Sequence, residues 1–430
     1  MELMILILLM IVIIGVANER IFHMQGDIAL ILFSLIICGG IYALSNLPGM
    51  EGIAEKIHQI GDFGFEQYLI DTVLCFMLFA GAGKVNMHKF RQNIKTISLL
   101  ALLSTVISSV LYGLLFFGIM HLLGVDMDLF TCILLGCIVS PTDPIAATGI
   151  LNKLGLSKNV TVVIESESLF NDGTGVALFV FIESFVTHSG ESNFFVVMLK
   201  EVLGALAVAL IISFIMTGLM KLTRDPVKHI MISALTVSMV YAICEHFGFS
   251  GVIASVVCGM YFAAVRSSVE RRLLVEDIHN RYEDFWEVAE SILNAVLFVM
   301  IGLSLLDLHL SPMILLLLPI TLVLAVAARF VGVFCSGMLI GKKRMPGNYS
   351  LMEFVILMTW CALRGGLSLA LAMSTKDILS PDIYLIIMNV VYITIFFTVI
   401  VQGLTIKSVY FGIEKHKAQR CRSRKADIIS

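Results

Sequence analysis

Charge is what this sequence has least of. Only 14% of its 430 residues are Asp, Glu, Lys or Arg, while 58% are hydrophobic and the mean hydropathy is +0.96. Water-soluble domains carry about a quarter charged residues, so this scarcity excludes one. Long polar stretches are missing as well: the longest, near residues 48–65, 266–285 and 410–430, are too short to hold a soluble domain. The cysteines form no C-x-x-C pair and nearly all fall in apolar runs at irregular spacing, which reads them as buried small hydrophobes rather than disulfides or metal ligands. There is no nucleophile with a base, no metal-ligand spacing and no nucleotide motif, so no enzyme activity and no cofactor is expected. The first apolar stretch lacks a basic leader and a small-x-small cleavage site, and is expected to be a retained span rather than a signal peptide. The net charge of −3 says nothing about partners. Nucleic acid is not expected among them; membrane lipid is.

What fills the chain instead is a succession of apolar runs of bilayer-crossing length, separated by short polar connections. Lipid leaves no partner for unpaired backbone groups, so the fold class is an all-α polytopic membrane protein of about thirteen transmembrane helices. All but a handful of the 29 lysines and arginines fall on one side of that arrangement, among them Lys84, Lys89, Arg224, Lys228, Arg271, Arg272, Lys342, Lys343 and the tail. By the positive-inside rule that side is cytoplasmic, with the N-terminus outside and the C-terminus inside. The segment 266–285 is expected to lie on the surface as an amphipathic connector with Trp286 at the interface. The ten histidines sit mostly near span ends and loops and read as interfacial rather than as pH sensors.

Two apolar segments are broken inside: span five (129–153) by Ser140-Pro141-Thr142-Asp143-Pro144 and span twelve (350–375) by Leu363-Arg364-Gly365-Gly366. The breaks lie an odd number of spans apart, which fits two inverted repeats with crossing broken helices. No residue-level self-similarity accompanies them. Pro141 and Pro144 remove amide donors and disfavour helix before them, so the chain near Thr142 and Asp143 should unwind and free carbonyls. At a crossing, like ends of the half-helix dipoles face one another; Asp143 would answer the N-termini and Arg364 the C-termini. A proline-kinked packing helix is the alternative.

Span six carries Glu167, Ser168, Asn171 and Asp172, whose spacing places them on one side of a helix. Charge at that depth costs roughly 2.5–3.5 kcal/mol on insertion scales, so the cluster demands compensation or a function. The reading made here is alternate binding of a small cation and a proton, with the Asp172 carboxylate, the Ser168 hydroxyl and the Thr142 side chain or carbonyl as cation ligands. A hydrogen-bonded structural cluster is the alternative. Arg329 and Arg364 sit mid-span, where pairing with an acid is expected rather than snorkelling. Asp71 and Glu183 are weaker candidates, nearer the membrane faces.

Thr142-Asp143-Pro144, Glu167 to Gly173, Ala328-Arg329 and Leu363-Arg364-Gly365-Gly366 together resemble, in order and spacing, the signature of sodium/proton antiporters of the NhaP and eukaryotic sodium/hydrogen exchanger type. The resemblance implies a homodimer with a moving core of residues 94–190 and 311–409, scaffold helices in 1–93 and 191–310, and a short basic tail in 410–430. It implies Asp172 as the ion- and proton-binding carboxylate, Ser168 and Thr142 as cation ligands, and Asn171 as an orienting neighbour. Glu167 would pair with Arg329, with Arg364 left open as its other possible partner; Asp143 and Arg364 would steady the crossing. One departure stands out: some relatives supply an acid late in span three, where this chain reads Leu78 to Gly83.

The function expected is antiport of a monovalent cation, Na+ before Li+ or K+, for H+ across the plasma membrane, serving pH and sodium homeostasis. Burial makes an empty, charged Asp172 costly to carry through the barrier, so the core should move only when loaded. Neutral Asn171 beside it leaves one titrating site, which predicts electroneutral one-for-one exchange. A cation-coupled solute symporter is the competing reading. A channel would need repeated filter-like carbonyls that this chain does not show.

Overall fold

The structure is a computed structural model, and it describes residues 2–24, 26–45, 73–143, 145–187, 194–273, 276–304, 312–341 and 345–429. Asp71 lies outside them. Among the described residues every regular element is a helix, and the only β pairing is a single antiparallel bridge between Asp143 and Leu363. The order is α1 (Glu2–Ala17), α2 (Gly26–Ser45), α3 (Cys75–Gly83), α4 (Met87–Leu122), α5 (Leu129–Val139), α6 (Ile145–Lys153), α7 (Lys158–Val186) and α8 (Phe194–Met220). There follow α9 (Pro226–His246), α10 (Gly251–Leu273), α11 (Glu276–Ser304), α12 (Pro312–Ile340), α13 (Leu351–Trp360), α14 (Gly366–Met373), α15 (Pro381–Phe397) and α16 (Gly403–Ile429). Eight helices among the described residues are long and apolar enough to cross a membrane by length and composition. That number falls short of the expected thirteen partly because both broken spans leave half-helices that are too short to count.

The chain divides into two compact units, one of Met1–His88 with Glu183–Leu308 and the other of Lys89–Ile182 with His309–Ser430. The first has a core built on Phe79, Ala205, Ala209, Val240, Ala254 and Trp286. Close approach here depends on a missing side chain: a Cβ on Gly259 would stand only 2.5 Å from the Phe79 carbonyl oxygen, so α10 rides directly on α3. The sequence placed Trp286 at the membrane interface; in the structure its ring packs inside this unit. It is buried, its ring 4.8 Å from that of Phe79, and its Nε1 donates to Ser233 Oγ at 3.1 Å. The segment 266–285 is divided between the end of α10, which runs to Leu273, and the start of α11, from Glu276.

The second unit is laced by backbone-to-backbone approaches between α4, α5 and α12. A Cβ on Gly136 would collide with the Ser109 carbonyl, one on Gly113 with the backbone of Ile133, and one on Gly332 with Ser104 and Ser108. Small residues at such contacts replace the hydrophobic drive that lipid removes. Helix starts follow their caps. Asp128 accepts from Phe130 N at 2.9 Å to begin α5. Ser350 and Glu353 form a reciprocal capping box at α13. Two wider π turns interrupt otherwise continuous helix, Leu99–Ser104 within α4 and Thr398–Gln402 between α15 and α16. Mid-helix turns of this kind often mark functional positions.

Candidate ion-binding site

The proline break ends α5 at Val139 and α6 begins at Ile145; the glycine break separates α13 from α14. These two interruptions meet. Asp143 N donates to Leu363 O at 2.8 Å, so two unwound strands of backbone satisfy each other where lipid offers no partner. Ser140 and Pro141 carbonyls, freed as α5 ends, accept from Arg364 Nη1, the latter at 3.1 Å. A cation thus faces the negative end of α5, and Arg364 N donates in turn to Thr398 Oγ1 at 3.0 Å. The Asp143 side chain lies across the start of α14: a Cβ on Gly365 would stand 2.9 Å from its Cβ and 3.2 Å from Oδ2. Only glycine admits that approach, and it sets a carboxylate beside a helix N-terminus.

On α7, Gly175 leaves room for the Pro141 ring, which drops the break onto the polar face of this helix. Asn171, wholly buried, is the hub. Its Nδ2 donates to Thr142 Oγ1 at 2.7 Å and to Glu167 Oε1 at 3.1 Å, and its Oδ1 accepts from Thr142 N at 3.2 Å. Ser168 Oγ donates to the Thr142 carbonyl. Glu167 Oε1 also meets Arg329 Nη2 at 2.9 Å, both side chains 2% exposed, so Glu167 pairs with Arg329 and not with Arg364. Arg329 Nη1 reaches Ser104 Oγ, at the end of the π turn in α4, at 3.5 Å.

Asp172 stands apart. It is only half-buried, and among the described residues it has no hydrogen bond or ion pair, though Asp143 and Glu167 are its like-charged neighbours. A carboxylate so placed is short of a positive partner, and a proton or a small cation supplies one. Ser168 stands one helical turn before Asp172 on α7, and its hydroxyl and the Thr142 carbonyl keep lone pairs beyond those that their mutual bond uses.

Of the residues singled out from sequence, Thr142, Asp143, Glu167, Ser168, Asn171, Arg329 and Arg364 are brought into one network, with Asp172 at its margin. Glu183 is half-buried near the end of α7, where its carbonyl accepts from Thr187 N at 2.9 Å, and it is not brought into that network. Sequence reasoning missed Ser104, Ser140 and Thr398, single hydroxyl or carbonyl contributors that no local pattern flags. It also missed Glu290. The stretch Leu78 to Gly83 has no acid of its own, but in the first unit Glu290 of α11 stands against it, Oε1 3.6 Å from where a Gly81 Cβ would lie and Oε2 2.5 Å from Lys84 Nζ.

Comparison with known proteins bears on this arrangement. Residues 60–412 match the family described as sodium/hydrogen exchanger, transmembrane. The Na(+)/H(+) antiporter NhaP of Pseudomonas aeruginosa is 31% identical over 413 residues, covering 90% of this chain and 91% of that protein. The Na(+)/H(+) antiporter NhaH of Halobacillus aidingensis is 29% identical over 94% of this chain and 96% of its own. Among solved structures, the sodium proton antiporter MjNhaP1 from Methanocaldococcus jannaschii superimposes with a TM-score of 0.70 at 20% identity, covering 96% of this chain and 98% of that one.

Proposed function

The chain belongs to the sodium/hydrogen exchanger family, and from that premise we propose that it is an integral membrane antiporter exchanging Na+ for H+, with Asp172 as the carboxylate that the two ions share in turn. The family is one of transporters, not enzymes, and it gives no support to cation-coupled solute symport. The observation that carries the assignment of Asp172 is that, among the described residues, its carboxylate has no hydrogen bond or ion pair, at the edge of a network in which Asn171 and Glu167 are bonded. The neighbouring charges have fixed counterparts: Glu167 has Arg329, Arg364 has the α5 carbonyls, and Asp143 lies against the start of α14. Asp172 alone awaits a mobile one.

The cycle follows from the cost of carrying an unpaired charge through an apolar barrier. Protonated, or bound to Na+ with oxygens of Ser168 and Thr142 joining the shell, Asp172 is neutralised and the second unit can carry it across by alternating access. Empty, it holds the unit where water reaches it. Proton and cation exclude each other because both need the same oxygen lone pairs. With Asn171 neutral, the site trades one charge for one charge and the cycle is electroneutral. We place the protein in the plasma membrane as a homodimer, as membership of the family implies, with its basic side and tail in the cytoplasm, as the distribution of Lys and Arg implies.

The test is gradient-driven proton flux in proteoliposomes, with Na+, Li+ and K+ in turn. Wild-type protein should acidify or alkalinise the lumen on addition of Na+, and Asp172→Asn should not. Retained exchange in Asp172→Asn would remove that residue from its role; flux that requires an organic solute would remove antiport.

A further inference from the structure

The first unit buries an acid that the exchange chemistry does not use. Glu290 lies midway along α11, is 8% exposed, and faces α3 at Gly81. An ionised carboxylate in a membrane helix must keep a positive partner close, because nothing else offsets the loss of water around it. Among the described residues it has one, the Lys84 ammonium, 2.5 Å from Oε2. That partner is loosely held. Lys84 follows the last turn of α3, its side chain is 45% exposed against 11% for that of Glu290, and an ion pair with one end in water contributes little.

The buried end of the pair offers more oxygen than Lys84 uses. Glycine at 81 leaves the α3 side open: even a Cβ there would stand 3.6 Å from Glu290 Oε1, an ordinary contact, and among the described residues no donor holds that oxygen. One turn further along the same face of α11 is Asn294, 3% exposed, whose Oδ1 has no hydrogen-bond partner among the described residues. Buried polar atoms left unengaged in this way call for a ligand. A carboxylate oxygen and an amide oxygen form an all-oxygen donor set, the kind that hard cations take.

We propose that Glu290 and Asn294 form a second monovalent-cation site, and that Lys84 is a tethered cation that fills it until an alkali ion takes its place. The charge count selects the class of ion. Trading one ammonium for one Na+ or K+ leaves the site as neutral as before, whereas a divalent ion would leave a positive charge in excess at a buried place. The flexible four-carbon stem of Lys84 lets its head swing into water as the ion enters. A rival on a short flexible tether competes at an effective concentration in the millimolar range, so the site in the intact protein is one of low affinity. Its ligands belong to the first unit and Asp172 to the second, and the site does not depend on the exchange reading above.

The test is Na+ binding to the purified full chain in detergent, followed by calorimetry and by the rise in melting temperature with NaCl over choline chloride. An Asp172→Asn background removes the carboxylate assigned to exchange. Adding Lys84→Met in that background should lower the half-saturation for Na+ by about tenfold, since the tethered rival is gone. Adding Glu290→Gln as well should abolish the gain, and adding Asn294→Ala should weaken it. Lys84→Arg keeps the resident charge and should bind Na+ no better than Lys84 does. If Lys84→Met is too unstable to titrate, its rescue decides: recovery of its melting temperature by NaCl and not by choline chloride supports the site, and equal recovery with both overturns it. Na+ binding unchanged by removal of Lys84, or a gain that survives Glu290→Gln, would likewise overturn the proposal and leave Lys84 and Glu290 a structural pair. No arm reads flux, so a failure of antiport would strike the proposed function alone.

Discussion

Asn171 and Asp172 are chemical near-twins one position apart, and their neighbourhoods set them apart. Asn171 has both ends of its carboxamide engaged, whereas Asp172 has neither oxygen taken among the described residues. Converting Asn171 to Asp should therefore do two things. It sets a second acid beside Glu167, and it gives the site a second titrating group, so turnover should become dependent on voltage when flux is followed under a clamped potential; wild type should stay indifferent. Glu167→Gln should be destabilising by roughly 3–5 kcal/mol, because it leaves the buried Arg329 charge unpaired. A fall in melting temperature in detergent would register it, and a Glu167→Gln, Arg329→Met double variant should recover part of the loss. At this scale the sequence was readable for the residues whose charge is anomalous in a span. It was unreadable for Ser104, Ser140 and Thr398, since a serine or threonine in an apolar helix satisfies its own backbone as often as a neighbour and carries no sign of which it does.

Breaks and caps set the elements. Prolines at 141 and 144 and the paired glycines at 365 and 366 marked both interruptions correctly, because missing donors and missing Cβ atoms are local properties. That the interruptions meet, Asp143 bonded to Leu363 and Arg364 to the Ser140 and Pro141 carbonyls, is a tertiary fact that two segments so far apart in sequence suggest only through their symmetry. The π turns had no local signal at all. The packing of Trp286 was not legible either: tryptophan is equally at home at a lipid headgroup and in a core that supplies an acceptor, and here Ser233 supplies one. Glycine contacts yield the sharpest test at this scale. Gly136→Ala would push a methyl group into the backbone of Ser109, and Gly175→Ala would push one into the Pro141 ring. Each should cost on the order of 1–3 kcal/mol. Gly175→Ala should in addition weaken Na+ binding, measurable by calorimetry, since it lifts Thr142 from α7; Gly136→Ala should lower thermal stability first.

For the molecule as a whole, membrane residence, helical class and antiport were legible from scarcity of charge and from the signature residues, while the number of crossings was not, because hydropathy counts broken spans poorly. The proposed sharing of one carboxylate by both ions has a consequence visible only in whole-cycle kinetics. Where protons dominate the site, the apparent half-saturation for Na+ should rise about tenfold for each unit by which pH falls on the same side. A sodium affinity that ignored pH would separate the two ions onto different groups.

The hold of Arg364 on Ser140 and Pro141 bears on how the cargo travels. An alkali ion sheds its hydration shell only as far as the host replaces it, and these two carbonyl oxygens already serve a guanidinium. Asp172, Ser168 and Thr142 cannot encircle a sodium ion by themselves, so it should ride partly wet, with retained water completing its coordination. Discrimination by fit to a rigid cage is then weak, and lithium should be accepted nearly as readily as sodium in a direct competition of the two ions.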